Sequence, residues 1–97
     1  MAQVQHIPFL SKITNSQQWV GSPGVVISGT DMQGRRELVI FNNAGQTLYL
    51  GSAGVTMNNG FPIGVGQDIT LPIAGSLFVY GIGSGTGSVD IRIMELA

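Results

Sequence analysis

The chain has 97 residues, 9 % of them charged and 43 % apolar. It therefore makes one domain whose polar surface comes from Gly, Ser, Thr, Asn and Gln rather than from the roughly 25 % of charged residues in an ordinary soluble domain. Four basic against five acidic residues give a formal net charge of −1, which lacks the basic footprint that phosphate backbones select and so argues against a nucleic-acid partner.

The absence of cysteine removes disulfides, thiolate metal sites and Cys nucleophiles together and fits a reducing cytoplasm. Apolar runs such as residues 38–41 are far too short to span a bilayer, and no basic cluster precedes an apolar run at the N-terminus. A soluble, non-secreted protein with no membrane partner is expected.

Residues 1–23, "MAQVQHIPFLSKITNSQQWVGSP", are rich in Gln, Ser and Asn. They show neither helical spacing nor clean alternation, so they read as an extended N-terminal arm or an irregular edge segment, with the folded domain over residues 24–97. Phe9 and Trp19 stand out within this polar stretch, because an aromatic ring there needs something to bury it. Both are candidate partner contacts, with the arm packing either over its own domain or on a neighbour.

From residue 25 onward the pattern becomes short β-type runs: "VVIS" (25–28), "ELVIFN" (37–42), "TLYLG" (47–51), "DITLPI" (68–73), "SLFVYGI" (76–82) and "SVDIRIMEL" (88–96). Turn residues separate them and no helical pattern intervenes, which predicts a single small antiparallel β-sandwich, jelly-roll-like, or a small barrel. Val89, Ile91 and Ile93 alternate with Asp90 and Arg92, so that run has one core face and one polar face. Residues 38–41 and 77–80 are apolar on both faces, so the face turned away from the core needs a cover. Pro62 and Pro72 exclude central positions for their segments, and residues 57–66 read as a loop with a short edge strand.

"GIGSGTG" (81–87) places glycines on alternate positions. A Walker loop would need a following Lys, and the only one is Lys12; a dinucleotide fingerprint would need other spacing and a helix after it. The run therefore reads as a hairpin connection between its flanking strands rather than an anion site. Its spacing could also leave a stripe free of side chains where a neighbouring backbone approaches closely, which makes Gly83 and Gly85 further candidate partner contacts.

No serine has glycines two residues away on both sides, and the only histidine, His6, lies in the arm, so no nucleophile elbow or Ser/His/Asp arrangement is expected. One His without Cys gives no transition-metal site, and residues 31–34 lack the acidic density of a Ca²⁺ loop. Asp31, Glu37, Asp68, Asp90 and Glu95 are spread over five segments and read as exposed turn or strand-face charges. No enzyme, cofactor or metal is expected.

Residues 41–73, "FNNAGQTLYLGSAGVTMNNGFPIGVGQDITLPI", followed by "LFVYGIGSGTGSVDIRIMEL" (77–96), resemble small virion proteins of tailed bacteriophages. The matching features are the Asn43-x-Gly45 turn, the "LYLG" strand, Val55-Thr56 leading into "NGFPI" (59–63), Gly66 before "ITL" (69–71), the strand at 77–80 and the final "VDIRI" (89–93). The arm is outside the match, and the matched positions are fold residues, so no binding residue carries over.

The resemblance implies a non-enzymatic particle component located in the virion and assembled in the host cytoplasm. The expected role is a capsid decoration or cement subunit that binds the major capsid protein and stabilises the head, as a homo-oligomer and by analogy a trimer. The alternatives are a neck, tail or baseplate component, or a carbohydrate- or receptor-binding sandwich using the loop around Asn58 and Phe61. In this last case the competing reading is a turn with Phe61 tucked into the domain.

Overall fold

The computed structural model describes residues 12–21, 24–27, 34–74, 77–85 and 87–97. Eight strands run through them: β1 (Ile13–Val20), β2 (Val25–Ile27), β3 (Glu37–Asn42), β4 (Leu48–Gly51), β5 (Phe61–Ile63), β6 (Asp68–Leu71), β7 (Val79–Gly83) and β8 (Val89–Leu96). No helix occurs among the described residues. One sheet has the order β1-β8-β3-β6 and the other β2-β7-β4-β5, and every pairing is antiparallel.

The pairs are nested, β4 with β5 inside β3 with β6, then β2 with β7, then β1 with β8. The path is that of a long hairpin rolled up on itself, the strand order of an eight-stranded jelly roll. Of the connections between consecutive strands, that from β4 to β5 alone stays within one sheet; every other one crosses the sandwich.

Strand alternation decides what fills the interior. Leu38 and Ile40 on β3, Leu48 and Leu50 on β4, and Val89, Ile91 and Ile93 on β8 point inward and join Val20, Ile27 and Ile63 in one buried cluster. Each such aliphatic side chain contributes about 1.5–3 kcal/mol by leaving water. Val39 and Phe41, the other phase of β3, lie half-buried on the outer face of the first sheet. The two edge strands with prolines behave as expected: Pro62 lies in the edge strand β5, and Pro72 follows the edge strand β6.

Two features of the chain path differ from the sequence expectation. Residues 13–20, expected to belong to an arm or an irregular edge segment, form the regular strand β1, paired along its whole length with β8. The ladder continues through Lys12 and Ala97, which exchange backbone hydrogen bonds of 2.8 and 3.0 Å. The sandwich therefore begins by residue 12 and not at 24; the remainder of the arm, residues 1–11, lies outside the described residues.

The second difference is the glycine run, which is not a hairpin. β7 and β8 lie in different sheets, so the chain passes from one sheet to the other between Gly83 and Val89. Gly87, at φ +84°, takes the left-handed backbone conformation this crossing needs.

On β3 and β8 the inward phase continues into two fully buried polar residues, Asn42 and Glu95, and both side chains are hydrogen-bonded. Asn42 donates through Nδ2 to the carbonyls of Gln46 (2.8 Å) and Ile63 (2.9 Å) and accepts at Oδ1 from the Ala44 amide (3.0 Å), which joins the β3–β4 loop to β5. Glu95 continues the inward phase of β8 and is 1 % exposed. Its carboxylate accepts a 2.9 Å hydrogen bond from Arg35 Nη1 in a buried ion pair. Glu95 is thus a core residue rather than an exposed strand-face charge. Arg35 Nη2 donates to the carbonyls of Ala74 (2.8 Å) and Leu77 (3.0 Å), so one guanidinium ties β8 to the β6–β7 connection.

Candidate interaction surface

That connection borders an apolar opening of the fold. A groove of about 510 Å³ lies between the sheets on the β5–β6 side, with Leu50 and Val79 of one sheet facing Ile69 and Leu71 of the other, and with Phe61 and Phe78 in its walls. Phe61 is 60 % exposed, Leu77 54 % and Phe78 62 %. Phe61 is therefore not tucked into the domain, because β5 is an edge strand too short to be overlain by its neighbours. The loop before it is fixed by a reciprocal pair: the Thr56 amide donates to Asn59 Oδ1 (2.8 Å) and the Asn59 amide to Thr56 Oγ1 (3.3 Å). Arg35 holds the opposite rim through the Leu77 carbonyl, so the groove has a fixed frame with apolar side chains projecting from it.

A second concavity lies on the outer face of the first sheet, where Val39, Phe41 and Met94 are flanked by Asn15, Gln17 and Arg92. Two of these flanking side chains, Gln17 and Arg92, converge on Asp90 of β8. The carboxylate accepts hydrogen bonds from Arg92 Nε and Nη2 (3.4 and 3.3 Å), Gln17 Nε2 (2.9 Å) and Asn43 Nδ2 (3.0 Å). These donors, Arg92 foremost, hold its pKa below the ordinary carboxylate value by stabilising the charged form. The outer face of the second sheet also carries apolar groups, with Tyr49, Tyr80 and Ile82 half-exposed.

The sequence candidates fall in different places. Phe9 lies outside the described residues. Trp19 is 60 % exposed on β1 and stands opposite Asp90 in the β1–β8 register. Gly83 is buried and faces inward: a Cβ there would lie 2.8 Å from Val89 Cγ2 and 3.1 Å from Gln46 Oε1. The backbone approaching it belongs to its own chain, since the Gly83 amide donates to the Gly21 carbonyl (3.3 Å). Gly83 is thus packed by residues of its own chain. Gly85 is exposed in the crossing, its amide held by Gln46 Oε1 at 2.6 Å.

Among the described residues no three His, Cys, Asp or Glu come together as a metal-binding group. His6 and Asp31 lie outside the described residues. Asp90 and Glu95 are each committed to an arginine. No protein-family model matches this chain, and no curated protein matches it as a relative.

Proposed function

We propose that this protein is a non-enzymatic structural subunit of a tailed-phage particle, specifically a head decoration or cement protein that sits between capsid proteins and stabilises the shell. The observation that carries this reading is the apolar groove framed by Phe61, Leu77 and Phe78 on a rigid jelly roll with few charges. Exposed aromatic and aliphatic groups gathered in one opening favour burial against another protein. The resemblance of residues 41–96 to small virion proteins supplies the particle as the setting.

The sandwich is the rigid body, the groove receives an apolar projection of a capsid subunit, and residues 1–11 add a further contact on the particle. Deleting residues 2–11 leaves β1 in place and tests the arm separately from the fold. Particle binding is expected to drop at least tenfold for Leu77→Ser/Phe78→Ser with the fold retained. Undiminished binding by that variant would remove the groove from the account. A neck, tail or baseplate location is the alternative within the same class and is distinguished by copy number.

A carbohydrate- or receptor-binding role draws support from one observation, the exposure of Phe61 beside the fixed Thr56–Asn59 turn. Sugar sites pair an aromatic face with converging polar groups. The groove around Phe61 is lined mainly by apolar side chains, which favours the protein contact. Glycan binding that disappears with Phe61→Ala would reverse that preference.

A further inference from the structure

Among the described residues β1 is a sheet edge, and beyond Lys12 at its start its own sequence carries none of the usual protection. Its register with β8 runs unbroken over eight residues, so it carries no bulge. Its sequence, "ITNSQQWV", contains neither a charge nor a proline. Natural edge strands normally carry such devices because their unpaired N–H and C=O groups invite another strand.

The side of β1 that is open follows from the ladder. Lys12 and Ala97 exchange both backbone hydrogen bonds. By alternation, the amides and carbonyls of Thr14, Ser16 and Gln18 also face β8, while those of Ile13, Asn15, Gln17 and Trp19 point away from it. Among the described residues no strand lies beyond them.

We infer that β1 is a homodimerisation edge and that its occupant is β1 of a second copy, antiparallel about a two-fold axis through Ser16. The inference stands apart from the particle role, since it concerns the free protein. Like-facing residues pair only when the register sum is even, which leaves three central choices, with the axis at Asn15, Ser16 or Gln17.

The Ser16 axis alone sets Ile13 against the partner's Trp19, twice by symmetry, and Asn15 against the partner's Gln17. Ile13 is 64 % and Trp19 60 % exposed on the same outer face, and an aliphatic–aromatic cross-strand pair is among the favoured ones. An axis at Asn15 opposes Ile13 to Gln17, and one at Gln17 opposes Trp19 to Asn15; each leaves an apolar group against an amide. The Ser16 axis also uses the outward backbone groups of Ile13, Asn15, Gln17 and Trp19 together.

The chain has no cysteine, so a single introduced thiol reports the axis directly. Two Ser16 residues across the axis form a non-hydrogen-bonded pair with Cα atoms about 4.5 Å apart, inside the disulfide range. Ser16→Cys is expected to form a covalent dimer on mild oxidation. The rate should be at least about tenfold above that of Asn15→Cys or Gln17→Cys alone, whose self-pairs lie two register steps away.

Wild-type protein is expected to sediment as a dimer. Gln17→Pro, which removes an amide that β8 does not use, is expected to be a folded monomer. A monomeric wild type at about 100 µM, well above the Kd of a specific dimer, would overturn the inference. So would a Ser16→Cys protein that is dimeric but does not cross-link, or Asn15→Cys linking as fast as Ser16→Cys.

Discussion

Replacing Glu95 by Leu keeps the side-chain size and removes only the carboxylate, which leaves the Arg35 guanidinium, 5 % exposed, without its anion. Breaking one partner of a buried pair in this way costs about 3–5 kcal/mol, a large fraction of the roughly 5–15 kcal/mol that holds a domain of this size together. Arg35→Met is worse, because it strands the carboxylate and also releases the Ala74 and Leu77 carbonyls, each worth about 1 kcal/mol or more as a bond to a charged donor. The double variant has no stranded charge, so its loss is expected to fall short of the sum of the two single losses by about 2 kcal/mol or more.

Urea denaturation reads these differences. A loss of about 3 kcal/mol over a slope of about 1–2 kcal/mol/M moves the midpoint by roughly 1.5–3 M. A Glu95→Leu protein within about 1 kcal/mol of wild type, or single losses that simply add, would refute the claim that this pair is a buried and coupled element of the fold.

Four further variants test the geometry. Gly81→Val should destabilise by about 1–3 kcal/mol through overpacking, because a Cβ at Gly81 lies 2.6 Å from Ile27 Cδ1. Gly85→Ala should cost under about 1 kcal/mol, since the nearest atom is Gln46 Oε1 at 3.4 Å; thermal melts compare the two. The depressed pKa of Asp90 means that its contribution to stability is fully present above the ordinary carboxylate value of 3.8 and is lost as pH falls through the lower folded value. Asp90→Asn should flatten that part of the acid-denaturation profile by lowering stability at neutral pH toward the level the wild type reaches in acid. Arg35→Met should raise amide exchange at residues 77–79, because the guanidinium holds the Leu77 carbonyl at the groove rim.

The strands with a strong apolar phase were readable directly: residues 37–42 coincide with β3, and residues 88–96 contain β8. β1 was not, because its inward positions before Val20 are the polar Thr14, Ser16 and Gln18, so the alternation that burial imposes is invisible in hydropathy. Gln18 occupies the interior rim by donating from Nε2 to the Val26 carbonyl at 2.7 Å, which bridges the two sheets. Extending the phase of Val89, Ile91 and Ile93 by one more step places Glu95 inside, and extending that of Leu38 and Ile40 places Asn42 inside. Both signals were present in the spacing.

What no spacing reveals is the partner. Arg35 lies 60 residues from Glu95 along the chain and meets it only through the β3–β8 pairing. The apolar groove is equally non-local, since Phe61, Ile69 and Phe78 converge from three segments. The inward direction of Gly81 and Gly83 depends on which sheet β7 joins, and the sequence left that undetermined.

The proposed role makes this jelly roll a structural subunit of a phage particle. The measurement closest to it is the copy number of the chain in purified particles, by quantitative mass spectrometry against the major capsid protein. Hundreds of copies per particle are expected for a decoration subunit, with loss of that signal when Leu77 and Phe78 are both replaced by Ser. Tens of copies or fewer would move the protein to the neck or tail, and its absence from purified particles would contradict the account.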